Sequence, residues 1–139
     1  MDTDGLIHAG SGLDQVTWMD VRVGDWVATP RHGKPVEINA LWYNALCTMD
    51  MLQAKFGDND DSYRQLASLV KTSFNKRFWN ENTGCLYDVV DEDDDTIRPN
   101  QIYAVSLPFT MLDKEREKAI VDTVMDKLYV GCGLRSLDP

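Results

Sequence analysis

Cysteine is scarce in this 139-residue sequence, and the three that occur, Cys47, Cys85 and Cys132, form no CxxC pair. An odd, widely spaced set excludes a disulfide scaffold and a cysteine-built zinc site, and predicts reduced thiols in a cytoplasmic compartment. Histidine is scarcer still. His8 and His32 have no second imidazole or thiol at ligand spacing, so no metal site is expected. A run of about eighteen apolar residues is missing, as is a signal-peptide start, which points to a soluble chain that neither enters a membrane nor is exported. Basic residues are outnumbered by acidic ones, 14 to 23, for a formal net charge of −9. Such a chain repels nucleic acid phosphates and anionic lipid heads. GxGxxG, P-loop and GxSxG patterns are absent. The acidic runs at residues 58–61 and 91–95 lack the glycine and closing glutamate of an EF-hand, which makes them solvated loops, not calcium sites.

What the sequence does contain is helical periodicity. Ile38, Leu41, Trp42, Ala45, Leu46, Met49 and Leu52 fall at three-four spacing and predict a helix that ends near Phe56-Gly57. A second face runs through Tyr63, Leu66, Ala67, Val70 and Phe74. Pro99 suits the first turn of a third helix expected over residues 101–110. Asp113 is placed to cap a fourth, with Ala119, Ile120, Val124 and Leu128 on its face and Gly131 and Gly133 beyond its end. Between them, Asn-Thr-Gly at residues 82–84 reads as a turn and residues 85–90 as a short strand. The expected organisation is one mainly α partial domain: a loop-rich segment over residues 1–34, a helical hairpin over 35–78, a connection over 79–97 and a second hairpin over 98–130.

The first third stands apart, since it sets glycines between aromatics and carboxylates. Asp20 follows Trp18 and Met19, whose apolar bulk would desolvate its carboxyl as a general acid near neutral pH requires; the plain alternative is that Asp20 caps a turn or is simply a surface carboxylate. Trp18, Trp26, Trp42 and Tyr43 offer flat faces for the C–H side of a sugar ring, with polar groups at the rim for its hydroxyls. Trp42, in phase with Ile38 and Leu46, also reads as core. Glu37 and Asn39 open the first helix, where a carboxylate serves equally as a cap or as a grip on hydroxyls. Asn44 extends that polar stripe.

"TWMD", "TPRHGKPVEINALWYNAL", "RPNQIYAVSLP" and "GLRSLDP" occur in this order across nearly the whole chain. Together they resemble the C-terminal glucosidase domain of glycogen debranching enzymes, the amylo-α-1,6-glucosidase family. The resemblance implies two of the six helical hairpins of an (α/α) barrel, with these strings at its mouth. It implies hydrolysis, with inversion and without metal or organic cofactor, of the α-1,6-linked glucose at a glycogen branch, so an α-glucan is the partner. Asp20 matches the family's proposed general acid. Sugar-binding or site-supporting positions fall on Trp18, Trp26 and Arg31, on Glu37, Asn39, Trp42 and Tyr43, and on Arg98, Asn100 and Gln101. "GSGLDQV" departs from the family's pattern around Asp14.

An inverting hydrolase needs a second carboxylate roughly 6.5–9.5 Å from the first, and the family carries that base beyond "GLRSLDP". A fragment inactive by itself is therefore expected. The rival readings are a non-catalytic carbohydrate-binding module and an acidic helical adaptor for a protein surface. Self-association is also expected, because four helices are not expected to shield all of Leu41, Leu46, Val70, Phe74, Ile120 and Val124.

Overall fold

A computed structural model describes residues 1–57 and 60–139; Asp58 and Asn59, in the expected acidic turn, lie outside the described residues. The first long element, α1 (Val36–Phe56), begins where Pro35 leaves its extended conformation, and it stops at Gly57, whose positive φ of 92° lets its N–H close on the Gln53 carbonyl. Asp60 then takes the N–H and hydroxyl of Ser62 at 2.9 and 2.7 Å and opens α2 (Ser62–Arg77). The two helices pack on each other. The expected face of α2 is the observed one: Ala67, Val70 and Phe74 are buried, and the Phe74 ring stacks on Phe78 at 4.4 Å.

The buried face of α1 is rotated from the expected one: Leu46 is buried and Ile38, Trp42 and Leu52 are half-buried, but the rest differs. Leu41, Ala45 and Met49 lie on the solvent side, while Val36, Ala40, Tyr43 and Leu46 are buried together with Glu37, Asn39 and Asn44. Bonded amides made that rotation affordable. Asn44 donates to the Ala40 and Phe109 carbonyls at 3.1 and 2.8 Å and accepts the Phe109 N–H at 2.9 Å, so its burial leaves no polar group unmet. A count of apolar residues alone could not weigh satisfied amides against Leu41 and Met49.

Short ladders cover what the helices do not. Strand β1 (Arg22–Val23) pairs with β2 (Trp26–Val27) across a Gly24-Asp25 turn, and this hairpin keeps Val23 and Trp26 in solvent. β3 (Lys34–Pro35) is antiparallel to β6 (Val89–Val90), and β4 (Trp79–Asn80) to β5 (Cys85–Leu86). The strand expected over residues 85–90 is thus two strands with different partners, and Tyr87 and Asp88 sit at the changeover. Their amides are met by the Phe78 and Asp94 carbonyls at 2.9 and 2.8 Å.

The third helix is shorter than expected. A 3₁₀ turn (Pro99–Ile102) runs into α3 (Tyr103–Ser106), and there it ends, four residues before Thr110. Pro108 excludes its predecessor from the helical region, and Leu107 is accordingly extended at φ −73° and ψ 155°. Helix α4 (Lys114–Lys127) is capped as the sequence implied, by the Asp113 carboxylate on the Arg116 N–H at 2.8 Å. Leu6, Val36, Leu46, Val70, Phe74, Phe78, Leu86, Ile120, Val124 and Leu128 belong to a single core cluster. Five of the six residues expected to exceed the helices' shielding are therefore covered, by Leu6 and the ladders as well as by helices; only Leu41 is exposed, at 43%. The ground offered for self-association fails at those five positions.

Gly33 is where three strands of chain meet. Its N–H and carbonyl pair with Ala9 at 2.9 Å, its φ is +107°, and a Cβ there would stand 2.7 Å from the Val90 carbonyl oxygen. Gly33→Ala should cost at least about 1–3 kcal/mol, the usual strain of such a conformation, read as a lower urea midpoint; an unchanged midpoint would mean that residues 9, 33 and 90 do not come together.

Candidate functional site

Arg31 is fully buried, and each nitrogen of its guanidinium donates to a carboxylate. Its Nη1 and Nη2 donate to the two oxygens of Glu37, the second at 2.7 Å. Nε donates to Asp88 Oδ2 at 2.6 Å and Nη2 to Asp88 Oδ1 at 3.1 Å. Such a fork-to-fork geometry is what makes arginine, and not lysine, fit between two carboxylates. Burial works against the Arg31 charge, yet the bond from Glu37 and the charge of Asp88 outweigh it and raise its pKa further. Burial likewise pushes Asp88 up, against the pull of Arg31. Arg98 adds a second positive group, Nε standing 3.5 Å from Asp88 Oδ2. The sequence predicts Glu37 as a cap of α1 or a grip on a hydroxyl; instead its carboxylate is committed to Arg31.

Asp88 also reaches outward. Its Oδ1 accepts Asn100 Nδ2 at 2.8 Å, and Asn100 Oδ1 in turn accepts the indole N–H of Trp18 at 2.9 Å. Trp18 is 61% exposed, yet held by that bond. On either side of it the turn is clamped: Met19 Sδ lies 3.2 Å from Asn100 Nδ2, and the Thr17 amide and hydroxyl donate to Asp20 Oδ1. Asp20 Oδ2 takes the Val16 N–H at 2.8 Å. Asp20 acts as an acceptor in all three bonds and so organises the turn; at 1% exposed it is not the surface carboxylate of the other plain reading.

The other candidates go elsewhere. Asn39 binds the backbone of Ile7 in both directions, at 2.7 and 3.1 Å, and Trp42 donates to the Gly5 carbonyl at 3.0 Å; both fasten the N-terminal segment to α1. Tyr43 is in the core, where burial and a bond to Cys47 push its hydroxyl up to about 12. Gln101 braces β5 through the Leu86 N–H at 3.3 Å. Trp26 stands on the β1–β2 hairpin, 61% exposed. A cavity of about 340 Å³ is lined by Gly12, Pro30, Arg31, His32, Val89, Glu92 and Asp94; neither exposed tryptophan borders it. Asp88, the hub, was not singled out from the sequence. The available signal was a carboxylate embedded between Leu86-Tyr87 and Val89-Val90, where an unpaired charge would be costly.

A second ionic cluster ties the N-terminus to α2 and β3. Lys34 Nζ meets Asp4 at 2.9 Å, Asp2 at 3.0 Å and Asp91 at 3.4 Å, and Arg77 meets Asp4 at 2.8 Å and also Asp91. Asp2, His8 and Asp91 bring ligand-type atoms within 4.8 Å of one another, but Lys34 already faces both carboxylates. Burial tends to raise Asp4 and Asp91, and the bonds from Lys34 and Arg77 outweigh it, holding both below the usual range. A depressed folded-state value stabilises above the ordinary aspartate pKa of about 3.9, and the gain is lost as pH falls through the lowered value. The melting temperature should therefore fall as the pH drops below about 4, and fall less in Asp4→Asn; equal acid sensitivity in both chains would remove the cluster from the account.

No helix among the described residues is long and apolar enough to cross a membrane. Comparison with curated proteins returned no match. The sequence profile of the amylo-alpha-1,6-glucosidase family matches residues 1–139, and the chain, mainly helical and with three of its four family-like strings linked to one buried carboxylate, belongs to that family.

Proposed function

We propose that this chain forms one wall of the glucose site of an α-1,6-glucosidase that trims glycogen branches. The family is one of glycoside hydrolases, and the observation that supports this wall is the convergence on Asp88 of residues from separate strings: Arg31 and Glu37 from one, Arg98 and Asn100 from another, and Trp18 from "TWMD" through Asn100. Trp18 supplies the flat face on which a glucose ring stacks. Asp20, one residue beyond Met19, is the proposed proton donor to the glycosidic oxygen. For that step Asp20 must first take up a proton from solvent, and the protonated oxygen must exchange a turn bond for the glycosidic oxygen; the Thr17 hydroxyl is the donor most readily rotated away. The base that activates water is expected from outside these residues, because Glu37 and Asp88 are held by Arg31 and Asp20 already has the acid's part.

The test is the anomer released. An enzyme carrying this segment should liberate β-glucose from branched limit dextrin at early times in ¹H NMR, since inversion converts the α-linkage. The 139-residue chain should liberate none. Initial α-glucose would overturn the inverting reading, and release by the chain alone would overturn the committed-carboxylate argument. A non-catalytic glucan-binding wall is the second reading; the observation favouring it is that every hydrogen bond reaching Asp20 is donated to it.

A further inference from the structure

We infer that Asp88 is a positioning residue: through Asn100 it sets the plane of the Trp18 indole, and with it the turn that carries Asp20, before any ligand arrives. The inference rests on the glucan reading of Trp18 only for what the fixed indole is used for. Neutralising Arg31 does not by itself call for Asp88, because Glu37 already takes both guanidinium amino groups. What Asp88 adds is an acceptor for Nε in Oδ2 and an oxygen, Oδ1, shared between Arg31 Nη2 and Asn100.

That oxygen decides which way the Asn100 amide faces. With Nδ2 on Asp88 at 2.8 Å, the carbonyl end is left to accept the Trp18 N–H at 2.9 Å. The reversed amide would set oxygen against oxygen at Asp88 and N–H against N–H at Trp18, which no tautomer of either partner repairs. The order of donors therefore runs one way, from Trp18 to Asn100 to Asp88, and its anchor is the buried Arg31 fork. An indole this exposed would otherwise sample several rotamers. Fixing it in advance removes an ordering cost from stacking a ring upon it. Thr17 on one side and Met19 on the other transmit the same restraint to Asp20.

The substitution Asp88→Asn reverses that chain of donors. Its amide oxygen keeps Arg31 Nε, so its nitrogen faces Asn100 and also displaces one of the bonds of Arg31 Nη2, which Glu37 and the Asp88 main-chain carbonyl still accept; Asn100 then turns its oxygen inward and presents Nδ2 to the indole N–H, and Asn100→Leu makes the same test with the fork untouched. Trp18 is released while Glu37 still holds Arg31. The double variant Asp88→Asn, Asn100→Asp rebuilds the chain of bonds, because the carboxylate introduced by the second change accepts from both sides; a purely structural Asp88 would be made worse, not better, by that change. The chain labelled with 5-fluorotryptophan carries four reporters, and Trp18→Phe identifies the one from Trp18. In Asp88→Asn and in Asn100→Leu the Trp18 resonance is expected to narrow and move to the solvent position, and in the double variant to return. In an isomaltose titration followed at the same resonance, the two single variants should bind about 2- to 10-fold more weakly than the parent chain, with recovery in the double. A Trp18 signal unmoved in the folded single variants, or not restored in the double, overturns the inference. If Asp88→Asn does not fold, Asn100→Leu, which leaves the Arg31 fork whole, carries the test. Should isomaltose perturb no tryptophan while the variants still move the Trp18 signal, positioning stands and the glucan role of this wall falls.

Discussion

Turnover of a debranching enzyme carrying Asp20→Asn is expected to fall at least ~10²-fold, the usual worth of a positioned general acid. An amide has nearly the shape of the carboxyl but no proton to give, so the loss should appear in kcat and not chiefly in KM. The fold adds a complication. Both Asp20 oxygens accept hydrogen bonds from the 16–17 backbone, and an amide nitrogen in one of those places would face a donor. Asp20→Asn is therefore also expected to loosen the turn by about 1–3 kcal/mol, and glucan affinity will not be as untouched as shape alone would imply. Thr17→Val separates the two effects, since it removes the hydroxyl bond to Asp20 and keeps the carboxyl: its turnover should stay within several-fold of the parent. Normal turnover in Asp20→Asn would remove Asp20 from the chemistry, and equal losses in both variants would assign it to the turn alone.

Arg31→Met should be the most destabilising single change in the molecule. It leaves Glu37 buried without its cation and Asp88 with only Arg98 and Asn100, and breaking such a group from one side costs about 3–5 kcal/mol, a large part of the roughly 5–15 kcal/mol that holds a domain together. Arg31→Lys should recover little, because one ammonium cannot serve two carboxylates in a plane. Far-UV circular dichroism against urea reads both. A midpoint for Arg31→Met within error of the parent would mean that the buried fork is not formed in solution. Because Asn100 hangs from the same carboxylate, the variant should also free Trp18, so stability and site order are expected to fail together.

Several parts of this arrangement could be read from local sequence because short-range chemistry specifies them. The stop of α1 at Gly57 needs only a residue that tolerates positive φ, and the start of α4 needs only an aspartate three residues before a free N–H. The periodic face of α2 was likewise correct, since its apolar residues have no bonded polar rivals. On α1 the same count chose Leu41 and Met49 over Asn39 and Asn44, because an amide's partners, Ile7 and Phe109, lie 32 and 65 residues away.

By itself, then, the sequence determined a mainly helical chain, the ends of its principal helices, the loop-rich character of the segment around Asp20, and the strings that mark the family. The tertiary structure alone decided that Arg31 and Asp88, 57 residues apart, share one buried fork, and that Trp18 reaches Asn100 across 82. Helix ends are settled by neighbours within a turn or two. Asp88 is delivered to Arg31 by two-residue ladders between β3 and β6 and between β4 and β5, strands too short to carry an alternating pattern.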